Sequence, residues 1–184
     1  MRSIPGMVVM CPCDDAEAKA AVRAAYAHKG PVYMRLGRLA VESVYDECPD
    51  FEIGKARVLT DGGDVAILAT GLLVQEALKA AGELKELGIS ARVIDLCTIK
   101  PLDEETVLAA ARECGKLVTC EEHSIIGGLG EAVCALVSER CPVPVVRIGV
   151  NDEFGHSGPG GKLLEDFGLC AANISAKAKT LCGK

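Results

Sequence analysis

Val65-Ala-Ile-Leu-Ala69 and the residues that follow it decide the fold. Five apolar residues in a row, bounded by Asp64 and by Thr70-Gly71, read as a strand. Leu73, Ala77, Ala80, Leu84 and Leu87 then recur at helical spacing. Gln75, Glu76, Lys79, Glu83 and Glu86 fall elsewhere on that helix, and Gly88 stops it. Ala91-Arg-Val-Ile-Asp-Leu96 is the next strand. A strand, a crossover helix and a second strand make a parallel pair, and a sheet built by repeating that unit carries helices on both faces. The predicted class is α/β with three layers, α/β/α.

The same grammar extends in both directions. Downstream, Cys97-Thr-Ile-Lys-Pro-Leu102 reads as a loop, and Asp103 as the N-cap of a helix with Glu104 and Glu105 in its first turn. Leu117-Val-Thr-Cys120 is a strand. Glu121-Glu-His-Ser-Ile-Ile-Gly-Gly-Leu-Gly130 leads into another helix, and Val143-Pro-Val-Val-Arg147 is a last strand before a Gly-rich loop and short helices. Upstream, Arg57-Val-Leu-Thr60 and Val65–Ala69 flank Asp61-Gly-Gly-Asp64, the pattern of a hairpin. Farther upstream, Met7-Val-Val-Met10, a helix opened by Asp14 and Glu17, and Val32-Tyr-Met34 spell a βαβ unit. That unit is too small to stand alone, and its strand pair lacks sheet neighbours. Residues 39–56, with Pro49 and scattered acids, carry weak periodicity. The expected division is a βαβ piece over 1–45, a linker over 46–56, and a domain over 57–184.

Composition excludes several classes. Apolar residues make up 49% of the 184, and aromatics only 3% with no Trp, so the core is aliphatic and offers no stacking platform for nucleic acid. The net charge of −6 argues against a nucleic-acid partner, although residues 1–45 hold six Lys/Arg against four acids. No apolar run is long enough for a membrane span. Ten Cys without a Cys-x-x-Cys, several inside apolar patterns, read as reduced thiols of a cytoplasmic protein. Cys11-Pro-Cys13 has no second pair or nearby His to complete a metal site.

Ligands of such sheets sit beyond the carboxyl ends of the strands. Those ends carry Arg35–Arg38, Thr70-Gly71, Cys97–Lys100 and Glu121–Ser124. Arg35-Leu-Gly-Arg38 puts two guanidiniums at a strand end, which suits a phosphate or, equally, a salt-bridged rim. Glu121, Glu122 and His123 are adjacent, so their side chains diverge. Hydrogen bonding at an interface fits them better than concerted acid–base work. Gly127, Gly128 and Gly130 form neither a Gly-x-Gly-x-x-Gly fingerprint nor a P-loop, and close backbone packing against a neighbour is the better use. His156-Ser157 lies outside any nucleophile elbow, in a loop that is flexible or ordered by a partner.

The order of these segments resembles the transketolases over nearly the whole chain. Arg2-Ser-Ile-Pro-Gly-Met-Val-Val, Pro12-x-Asp-Asp and Gly30-Pro-Val-Tyr-Met-Arg-Leu-Gly-Arg38 are similar to the end of the transketolase pyrimidine-binding domain. Asp64–Gly71, Val93-Ile-Asp-Leu-Cys-Thr-Ile-Lys-Pro-Leu-Asp103, Glu121-Glu-His-Ser…Gly-Gly-Leu-Gly-Glu131 and His156-Ser-Gly…Leu163-Leu…Phe-Gly-Leu169 are similar to its C-terminal domain. The likeness is greatest to the C-terminal subunit of transketolases split into two chains. It implies a mixed, mostly parallel sheet whose first strand is antiparallel, and transfer of a two-carbon ketol unit between sugar phosphates. It also implies thiamine diphosphate and Mg²⁺ in the assembled enzyme, an N-terminal domain or subunit as partner, and a dimer of that assembly. Arg38 falls where the family holds the substrate phosphate, and Arg35 is a weaker carry-over. The family's cofactor-activating Glu and substrate-contacting His residues have no counterparts here. No catalytic, cofactor-binding or metal-binding residue is therefore expected in this chain, which should be inactive alone. Two other readings are a fragment of 1-deoxy-D-xylulose-5-phosphate synthase and a non-catalytic assembly or regulatory domain.

Overall fold

A computed structural model describes residues 1–47 and 51–184. Cys48 and Pro49, which the sequence puts in the connecting stretch, lie outside the described residues. The elements are β1 (Val8–Met10), α1 (Asp15–Ala27), β2 (Val32–Met34), β3 (Arg57–Thr60), β4 (Val65–Ala69), α2 (Leu73–Glu86), β5 (Ala91–Asp95), β6 (Thr98–Lys100), α3 (Glu104–Cys114), β7 (Leu117–Ser124), α4 (Leu129–Arg140), β8 (Val145–Val150), α5 (Gly160–Asp166) and α6 (Ala171–Leu181).

Five strands form the main sheet in the order β3-β5-β4-β7-β8, parallel except for β3. Strand β4 is central and wholly buried because it faces apolar cores on both sides. Val65, Ile67 and Ala69 point into one core with Leu73, Ala77, Ala80 and Leu84 of α2 and Ile174 and Ala178 of α6. Ala66 and Leu68 point into the other, with Val107 and Ala111 of α3 and Val133 and Val137 of α4. The two-residue period of a strand thus divides five consecutive apolar residues between two helical layers. The α/β/α class and the antiparallel first strand are as the sequence implies.

The hairpin is not. β3 pairs with β5 and has no bonds to β4, so β5 lies between the two strands. The Asp61–Asp64 turn steps over the start of β5, and a Cβ on Gly62 would stand 2.5 Å from the Ala91 carbonyl carbon. The short Gly-rich connection that suggested a hairpin is there because two backbones pass in contact.

The N-terminal strand pair also gains a neighbour. Residues Thr98–Lys100, read as loop, form β6 and pair antiparallel with β1, giving a second sheet of order β2-β1-β6. Asp14 caps α1 through the Glu17 N–H at 2.8 Å, and its other oxygen accepts from the Val44 and Tyr45 N–H groups at 2.8 and 2.9 Å. Val44 and Tyr45 pack on the α2/α6 core, and Phe51 and Ile53 on a third cluster with Met10 and Ala21. Residues 44–45 and 51–53 are therefore held down, despite the lack of periodicity around them.

Candidate functional site

The sequence puts Arg35 and Arg38 side by side, but the fold points them into different clefts. Arg35 leaves the end of β2, its N–H bonded to the Met10 carbonyl at 2.9 Å. It lines a cleft of about 530 Å³, partly open to solvent, with Arg2, Cys11, Thr70, His123 and Gly128. Its guanidinium is 3.4 Å from the Glu122 carboxylate. Arg38 faces a larger, more open depression of about 1140 Å³, with Glu122, Gly155, His156, Gly158 and Leu163. No ion pair occupies Arg38 among the described residues. So one guanidinium is neutralised and the other is left to solvent. Glu122, on β7, borders the Arg38 cleft and pairs with Arg35 at the other.

Glu121, His123 and the glycines have separate tasks. Glu121 is 2% exposed, and its carboxylate accepts the Leu129 and Gly130 N–H groups at 2.7 and 2.8 Å, at the N-terminus of α4. An acid there meets the first free backbone donors of a helix and the positive end of its dipole. A Cβ on Gly128 would lie 1.9 Å from Glu121 Oε2, and one on Gly130 would lie 2.7 Å from the Thr119 hydroxyl. The glycine loop is thus shaped by contacts within its own chain. Burial raises the Glu121 carboxyl, and the two donors oppose the rise. His123 Nδ1 is 2.7 Å from the Ser124 carbonyl and 3.8 Å from Glu121. His156, read from sequence only as part of a loop, stacks on Phe167 at 5.4 Å and shares the cleft with Arg38. Over a hundred positions separate the two, so no local signal announces the pairing.

Burial pushes the Cys11 thiol up to about 11, against the pull of Arg35, which disfavours the nucleophilic thiolate. Cys13 turns elsewhere and joins Glu17 and Asp95 in a buried group whose ligand-type atoms lie within 4.8 Å of one another. That group is too enclosed to admit a diphosphate. Asn151-Asp152-Glu153, the other acidic stretch near a strand end, is exposed and sits on a loop where Asp152 has φ 50°. Neither set fits a site for a metal-bound diphosphate, which wants carboxylates held rigidly around an open position. No helix among the described residues is long and apolar enough to cross a membrane.

Comparison with known proteins matches this geometry. The model of the transketolase C-terminal domain matches residues 54–174, and that of the transketolase pyrimidine-binding domain matches residues 1–43. A 6-deoxy-6-sulfo-D-fructose transketolase subunit of a Clostridium species is 50% identical over 95% of this chain and 54% of its own length. A putative transketolase C-terminal section of Methanocaldococcus jannaschii is 45% identical over 96% of this chain and 56% of its own. The 1-deoxy-D-xylulose-5-phosphate synthase 1 of Geobacter sulfurreducens is 40% identical, the match spanning 28% of that protein. A solved split-gene transketolase, described as an inactive beta4 tetramer, has a TM-score of 0.96 and 46% identity, covering 100% of this chain and 60% of its own. This chain spans about half the length of the first of these relatives. It belongs to the transketolase family, with a transketolase C-terminal domain preceded by part of a pyrimidine-binding domain.

Proposed function

We propose that this chain is the C-terminal portion of a thiamine-diphosphate- and Mg²⁺-dependent transketolase, moving a two-carbon ketol unit between sugar phosphates once an N-terminal domain or subunit joins it. The expected assembly is a dimer of that pair, in the cytoplasm, where the unpaired cysteines would stay reduced. The observation that carries the reading is Arg38, a guanidinium without an ion-pair partner among the described residues. It stands at a strand end beside a glycine loop and His156. A planar fork of donors in an open cleft suits a terminal phosphate, two of whose oxygens can accept parallel N–H bonds. Arg35, already paired with Glu122, is the secondary anion contact. Glu121, Glu122, His123 and the glycines 127, 128 and 130 shape the loop against which the partner would rest. Ketol chemistry would be supplied by the cofactor in the upstream portion. This chain would hold the far end of the substrate and hold no metal or cofactor alone.

The test is calorimetric titration of the 184-residue chain with thiamine diphosphate and Mg²⁺, followed by assay with xylulose 5-phosphate and ribose 5-phosphate. Both are repeated after adding the upstream portion. Binding and turnover are expected only in the combined sample. Turnover by this chain alone, or none in the combined sample, would refute the proposal. Pyruvate with glyceraldehyde 3-phosphate as substrates separates the reading from a deoxyxylulose-phosphate synthase. A sulfonated ketose tests whether the Arg38 cleft prefers a sulfonate, as the name of the Clostridium relative suggests.

A further inference from the structure

Glu17 on α1 and Asp95 at the end of β5 are 2% and 1% exposed, and they meet where the N-terminal unit rests on the main sheet. A carboxyl oxygen of each and the Cys13 Sγ all lie within 4.8 Å of one another. Two carboxylates this close and this dry cannot both ionise. The ordinary donors are accounted for. Glu17 Oε2 accepts the Cys13 N–H at 2.8 Å, and Asp95 Oδ2 accepts the Tyr45 hydroxyl at 2.7 Å. Asp95 Oδ1 is buried and receives nothing from any of them. A proton on one of the two acids removes the repulsion between them and turns one acid into an O–H donor, the kind of group Oδ1 otherwise lacks.

We propose that Glu17 and Asp95 share one proton in the folded chain, and that this proton latches the N-terminal unit, with the Arg35–Arg38 segment, to the main domain. The connection to Arg38 is direct in the chain. Tyr45, which donates to Asp95, sits in the stretch that follows Arg38, and its N–H is bonded to Asp14 beside Glu17. Removing the proton leaves two buried negative charges facing each other under that stretch.

The groups facing the pair favour a proton over a metal ion. From the entry to α1 come the Cys13 thiol and Asp14. Beyond β5 comes the Cys97 thiol, and from the stretch after β2 the Tyr45 hydroxyl, with Arg57 of β3 over its ring at 5.7 Å. Burial holds both thiols protonated, far above their usual range, so a metal ion would have to displace a proton from each to bind it. Burial first, and then the charge of Asp95, pushes Glu17 up to about 8, and burial raises Asp95 as well. A folded value above the ordinary 4.5 means that the folded state binds the extra proton between those limits. The stabilisation is complete below the ordinary value and is lost as pH rises through the folded one. One proton corresponds to about a tenfold fall in the folding constant per pH unit within that window.

The experiment compares the wild-type chain with Glu17→Gln, whose amide can donate to Asp95 Oδ1 without titrating. Chemical denaturation is followed from about pH 5 to 8.5, and the carboxyl carbon of Glu17 is titrated by ¹³C NMR. The folding constant of the wild type should fall relative to the variant by about tenfold per unit, and the Glu17 carbon should stay in its protonated position at pH 7. Parallel pH profiles, or a Glu17 carbon that titrates like an exposed carboxylate, would overturn the proposal. So would one equivalent of zinc bound per chain and lost in Glu17→Gln. Should the variant fail to fold, the wild-type carbon titration decides by itself.

Discussion

Replacing Gly128 with Ala should cost far more than replacing its neighbour Gly127. Gly128 has φ −94° and ψ −157°, a conformation any L-residue adopts, so the backbone itself is indifferent to the change. The obstacle is Glu121. The new methyl would stand 1.9 Å from Oε2, 2.5 Å from Cδ and 2.7 Å from Oε1, so the whole carboxylate must leave. It then loses the 2.7 and 2.8 Å bonds from Leu129 and Gly130. Hydrogen bonds to a charged group are worth about 1.5–3 kcal/mol each, so the loss is about 3–6 kcal/mol before relaxation. Partial refilling of the space by water should bring it to about 3–4 kcal/mol. For a chain of this size that lowers the midpoint of thermal unfolding by roughly 6–16 °C. Gly127 has φ 77° and nothing within 4 Å of a built Cβ, so Gly127→Ala carries only the left-handed backbone cost of about 1–2 kcal/mol. Urea denaturation of Gly128→Ala, Glu121→Ala and the double variant closes a cycle. Both single changes break the same two bonds, so the double variant should cost little more than the worse single one, with a coupling of about 2–3 kcal/mol. Additive costs, or a Gly128→Ala chain within about 1 kcal/mol of wild type, would refute the assignment of Glu121 as the anion of the α4 N-terminus.

Three further outcomes are expected. In the assembled enzyme, Arg38→Ala should raise KM for phosphorylated sugars by about ten- to a hundredfold, the value of one charge-assisted pair, and should leave unphosphorylated sugars nearly unchanged. Equal effects on both substrates would make Arg38 structural. Gly71→Ala combines φ 59° with a Cβ 2.7 Å from Cys11 Sγ, so it should destabilise the chain by about 2–3 kcal/mol and loosen the amides of β1 first in hydrogen exchange. Uniform loosening of both sheets would contradict a role for Gly71, whose N–H donates to the Cys11 carbonyl, at the joint between the N-terminal unit and the main domain. Cys11, with its thiol raised to about 11, should be alkylated at pH 8 more slowly than the half-buried Cys141 and Cys170, as read by mass spectrometry of peptides. Equal rates would show that the joint opens freely.

The main sheet was legible because its signals are local. Val65–Ala69 and the α2 spacing give a strand and an amphipathic helix within about twenty residues, and periodicity reports such elements well. Pairing partners were less legible. Arg57–Ala69 shows a hairpin pattern at every local level, and only the insertion of β5 between the two strands, a long-range event, cancels it. β6 was missed because three residues, one of them Lys100, carry no period that a short strand could reveal. The site followed the same rule. Arg35 and Arg38 stood out as a pair at a strand end, but their separation into two clefts depends on Glu122 and His156, both distant in sequence.

The difference between Arg35 and Arg38 follows from how the two bodies of the chain are joined. Arg35 is fixed at the end of β2 by its backbone bond to Met10 and by Glu122, which belongs to the other body, so it acts as a rivet across the joint. Because its pair is about one-third exposed, that rivet is worth no more than ~0–1 kcal/mol. Most of the holding must come from buried contacts: β6 paired to β1, the Cys11 carbonyl accepting from both Thr70 and Gly71, and the Asp14, Glu17, Asp95 and Tyr45 group. Those contacts leave Arg38, three residues farther on, as the first cation past the joint with no internal partner among the described residues. An anion reaching Arg38 from outside would therefore have no internal ion pair to break first.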